Sequence, residues 1–72
     1  MTQQKPTKPE FIEVNEQDRT YYFPDAKVEL VGVVSINVSK SGVHRLNTKD
    51  GKKHIVAPGW YHIEFNAEEW TF

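Results

Sequence analysis

The sequence predicts an all-β protein: a small antiparallel meander of about five strands, shaped as an SH3-like barrel or a roll, with a short helical turn near the C-terminus. Two observations lead there. Residues 27–40, KVELVGVVSINVSK, place Val28, Leu30, Gly32, Val34, Ile36 and Val38 on every second position, an apolar row opposite a mixed one. Side chains on a strand alternate between faces, so this period implies a long strand whose even-numbered residues point inward. The turn pairs Pro24-Asp25, Ser41-Gly42, Asp50-Gly51 and Pro58-Gly59 then divide the rest into short segments rich in β-branched and aromatic residues. No segment keeps a helical period long enough for a core helix.

Each element follows in order. Residues 1–10, MTQQKPTKPE, are polar and carry two prolines, which predicts a disordered N-terminal tail. Residues 11–72 form the single β domain. Phe11 to Val14 and Arg19 to Phe23 read as two short strands around an Asn15–Asp18 turn. Pro24-Asp25 turns the chain into the long strand, in which Gly32 marks a bend or bulge. Val43 to Thr48 and Lys52 to Ala57 form a hairpin around Lys49-Asp50-Gly51, where glycine and aspartate tolerate positive φ. Pro58-Gly59 leads into Trp60 to Phe65, and Asn66 followed by Glu69 resembles a capping box for a helical turn ending at Trp70.

Composition narrows function by exclusion. At 72 residues the chain sits near the lower limit for an unaided core, and its net charge is −1. It has no cysteine, which removes disulfides, thiolate metal sites and a cysteine nucleophile. No apolar run approaches a membrane span and the N-terminus lacks a signal-peptide core, so the expected location is cytoplasmic, with no membrane partner. There is no glycine-rich phosphate loop and no G-x-S-x-G elbow. A short chain also leaves little room for a pocket of several hundred cubic ångströms. The protein is therefore expected not to be an enzyme, and no cofactor is implied.

Charge is unevenly spread. Residues 11–26 and 55–72 each carry net −3, whereas residues 40–54 carry net +4. The basic hairpin supplies the candidate binding residues Lys40, His44, Arg45, Lys49, Lys52 and Lys53, with Trp60 as the aromatic expected to lie exposed beside them. Two functions fit such a surface. One is an accessory module acting by protein–protein contact, a second copy of itself included; the other is a nucleic-acid-binding barrel. His44, His54 and His62 with Glu64 would suit zinc only if the strand register brings them together. A three-residue loop puts His44 and His54 on one face, and a two-residue loop puts them on opposite faces. No metal ligands are assigned.

Overall fold

A computed structural model describes residues 10–71. Five strands form one antiparallel sheet: β1 (Ile12–Phe23), β2 (Ala26–Val38), β3 (His44–Thr48), β4 (Lys53–Val56) and β5 (His62–Ala67). Their order across the sheet is β4-β3-β2-β1-β5. Antiparallel neighbours joined by short turns need no crossover, and only β5 pairs with a strand that does not precede it directly in the chain, β1. The expected tail over residues 1–10 lies, apart from Glu10, outside the described residues.

Tyr21, Leu30, Val33, Ile36, Leu46 and Val56 are buried on the concave face, and Val14, Phe23, Trp60 and Ile63 pack against them. Burying each such side chain contributes about 1.5–3 kcal/mol, so a core this small leaves a modest net stability. The sheet stays open: β4 and β5 are its two ends, so closure into a barrel is not made among the described residues.

The inward row of the long strand differs from the simple alternation. Leu30 and Ile36 are buried as expected, but so is Val33, while Val28 and Val38 are exposed. Gly32 explains the change. Its φ of +70° is a left-handed conformation that shifts the strand's parity, so the next inward residue after Leu30 comes three positions on. Val34 is then an extra residue against β3, between the pairs Val33–Thr48 and Ser35–Asn47, and parity returns before Ile36.

Two other expectations are corrected. Residues 12–23 form one continuous strand, not two strands around an Asn15–Asp18 turn. Bulges relative to β2 and to β5 absorb the irregular pattern, and they turn the charged residues Glu16 and Arg19 inward. The C-terminal helical turn is also absent. Asn66 and Ala67 end β5, and the Asn66 side-chain amide donates to both Asp18 carboxylate oxygens (3.0 and 2.9 Å) instead of capping a helix.

The β3–β4 loop takes the three-residue form. Thr48 N–H donates to Lys52 O (3.1 Å) and Gly51 N–H to Thr48 O (3.0 Å), with Gly51 at φ +83°. Leu46 therefore faces His54 and His44 faces Val56, which puts both histidines on the concave face. The β2–β3 loop repeats this chemistry: Ser39 N–H bonds Val43 O (3.0 Å), Gly42 N–H bonds Ser39 O (3.0 Å), and Gly42 sits at φ +90°.

Candidate functional site

Register fixes where the seven sequence-nominated residues lie. β3 runs between two loops, so Lys40 lies at one end of it and Lys49 and Lys52 lie at the other. Arg45 pairs with Ile55, and Lys53 with Asn47, on the convex face. His44 is buried on the concave face. Trp60, expected to be exposed, is half-buried: residues 58–61 lie outside any strand, so strand parity does not apply to them. Its ring stands edge-on to His44 (centroids 4.7 Å apart) and Tyr21 (5.0 Å). Arg45 and Lys53 thus share a face, Lys49 and Lys52 share a loop, and His44 and Trp60 share the core. The seven do not share one surface.

Beneath Trp60 runs a buried polar chain. Glu16 and Arg19 are fully buried and form a two-pronged pair, with Arg19 Nε donating to Glu16 Oε1 at 2.8 Å and Nη2 to Oε2 at 2.7 Å. The Thr71 hydroxyl accepts from Arg19 Nη2 (2.8 Å) and donates to Glu16 Oε2. Arg19 Nη1 donates to the Tyr21 hydroxyl (3.2 Å), which lies 2.7 Å from His44 Nδ1. A guanidinium can only donate, so the phenol oxygen accepts from it and gives its own proton to Nδ1, leaving the proton of His44 on Nε2. Burial, then the charge of Arg19, hold His44 below its ordinary pKa. Burial likewise pushes the Tyr21 phenol up. Burial, the largest single effect, opposes the charge of Arg19, but bonding and attraction to Glu16 and Tyr21 together outweigh it, and the guanidinium sits above its ordinary value. No buried side-chain nitrogen or oxygen among the described residues lacks a partner. The chain runs from Thr71 and Glu16 through Arg19 and Tyr21 to His44, and pairing of every buried group is what a structural network requires.

The two ends of the sheet are unlike. β4 has four residues, opens on Lys53 directly after Lys52, and is followed by Pro58, devices that keep an edge from pairing with a stranger. β5 has six residues, HIEFNA, without lysine or proline. Its concave positions Ile63, Phe65 and Ala67 are only half-buried, whereas those of β3 (His44, Leu46, Thr48) are buried. The inner apolar layer therefore runs out at β5. Beyond it Trp70 is 93% exposed, its ring edge-on to Phe65 at 6.2 Å.

Two grooves meet at Trp70. One, of about 730 Å³, runs between the start of β1 and residues 67–71; the other, of about 390 Å³, follows β5. Both are larger than the chain length suggested. Glu13, Glu68 and Glu69 line the first, and Glu64, Glu68 and Glu69 line the second; neither lining includes lysine or arginine. Glu68, Glu69 and Trp70 carry no strand signal of their own, because Asn66 followed by Glu69 reads as a helical turn ending at Trp70. The available signal was the net −3 of residues 55–72, which contain no lysine or arginine. Among the described residues, no three His, Asp or Glu side chains gather as metal donors, and no helix is long and apolar enough to cross a membrane.

No family model matches the sequence, and no match was found among curated proteins or solved structures.

Proposed function

We propose that this chain is a small SH3-like roll that works in the cytoplasm as a non-enzymatic accessory module, by protein–protein contact along β5 and Trp70. One observation carries the reading: an indole that is 93% exposed stands beside an edge strand, paired on one side only, whose inner residues are half bare. Exposed aromatics next to apolar surface are the usual centres of protein interfaces. A free edge supplies unpaired backbone donors and acceptors to an incoming strand. The basic hairpin supports nucleic-acid binding less well, since its cations are divided between two loops and the convex face, with Trp60 turned to the core.

Photo-crosslinking tests the contact face. A photoreactive residue in place of Trp70 is expected to trap a partner protein that the same residue in place of Lys53 does not. The complex, rebuilt from purified components, is expected to be lost with Trp70→Ala. Adducts from position 53 alone, or a rebuilt complex indifferent to Trp70→Ala, would put the contact elsewhere.

A further inference from the structure

The chemistry of the occupant follows from the alternation of β5, given the reading of that edge as the contact face. Ile63, Phe65 and Ala67 point to the concave side; His62, Glu64 and Asn66 point to the convex side. A strand laid against β5 would present its own residues with the same period, so positions above Ile63 and Phe65 call for apolar side chains. Those opposite Glu64 call for the opposite charge. Past the end of β5, Glu68 and Glu69 continue the acidic side, with the face of Trp70 between the two grooves. Carboxylates beside an indole suit a lysine or arginine, which gains an ion pair and a cation–π contact together.

We propose that the site takes an extended peptide segment with lysine or arginine alternating with apolar residues, added to the sheet as a further strand along β5. Charge complementarity selects this occupant over a neutral strand: the two groove linings contain four different carboxylates and neither lysine nor arginine. No residue of the basic edge β4 lines either groove.

Three synthetic peptides of the same length as β5 test the proposal against the full chain, read by backbone amide shifts and by affinity at low and high salt. The first alternates lysine and valine, the second threonine and valine, and the third is the lysine–valine peptide with prolines that prevent strand pairing. The lysine–valine peptide is expected to move the amides of β5 and to bind about tenfold more tightly than the threonine–valine peptide at low salt, from a few exposed charge pairs. The proline peptide is expected to bind weakly. The combined variant Glu64→Gln, Glu68→Gln, Glu69→Gln should erase the lysine preference without unfolding the chain, since all three carboxylates are exposed. Equal affinity for the lysine and threonine peptides would overturn the cationic class and leave the edge reading standing. Binding that leaves the β5 amides unmoved would overturn both. Self-association of the chain without peptide, abolished by Trp70→Ala, would make a second copy the occupant and overturn the proposal.

Discussion

Removing one member of the buried Glu16–Arg19 pair should cost most of the stability of this protein, and removing both should cost much less. Arg19 makes four side-chain bonds, two to Glu16 and one each to Thr71 and Tyr21, with neither charge accessible to solvent. In Glu16→Leu, half of those bonds vanish and a positive charge stays behind in an apolar setting. Stranding a buried charge in this way costs about 3–5 kcal/mol. The whole chain is expected to have only about 3–5 kcal/mol to lose. Arg19→Met strands the carboxylate instead and should cost about as much. The double variant strands neither charge and replaces both with side chains suited to the core, so it should fall within about 2 kcal/mol of the parent. Urea unfolding followed by far-ultraviolet circular dichroism measures all four proteins, with a stabilising osmolyte present so that the single variants retain a folded baseline. The expected coupling is at least about 2 kcal/mol. If the double variant instead lost the sum of the two single losses, the pair would not be acting as a compensated unit.

Four further outcomes rest on the same fold. Gly32→Ala should destabilise by about 1–2 kcal/mol in urea titration, because φ +70° disfavours any side chain and the new methyl would lie 3.3 Å from the Lys49 side chain. Trp60→Ala should cost about 2–3 kcal/mol by removing packing on Tyr21, Phe23 and His44, whereas Trp70→Ala should change stability by less than about 0.5 kcal/mol. His44 has a lowered folded-state pKa, so the unfolded chain takes up its proton first as pH falls. Its contribution is complete above about pH 6.5 and is lost below that, at up to about 1.4 kcal/mol per pH unit, and His44→Gln should flatten that part of a stability–pH curve. Oligonucleotide titration should show no loss with Lys52→Glu plus Lys53→Glu; a steep, salt-sensitive loss would restore the nucleic-acid reading.

The turns were legible in the sequence because their chemistry is local. Gly42 and Gly51 end three-residue loops whose bonds lie within five residues, and Pro24-Asp25 closes the first hairpin where expected. What could not be read depends on partners far along the chain. Glu16 and Arg19 look like ordinary surface charges until Thr71, more than fifty residues away, completes their shell. Asn66 followed by Glu69 looks like a helix start until Asp18, forty-eight residues back, takes the Asn66 amide. Gly32 was recognised as a bend, yet nothing local says that it exchanges the two faces. Once the faces are exchanged, Val33 enters the core and the simple even-numbered row fails. The basic hairpin looked like one patch for a related reason: closeness in sequence is not closeness on a sheet, and a five-residue strand separates its two loops.

Thr71 has a consequence for the neighbouring indole. Its hydroxyl is tethered to the charged pair at the heart of the fold, one peptide unit beyond Trp70. A load applied to the indole is therefore passed through a single residue to Glu16 and Arg19, and from there to Tyr21 and His44. Occupancy at the rim should be felt as slower proton exchange deep in β1.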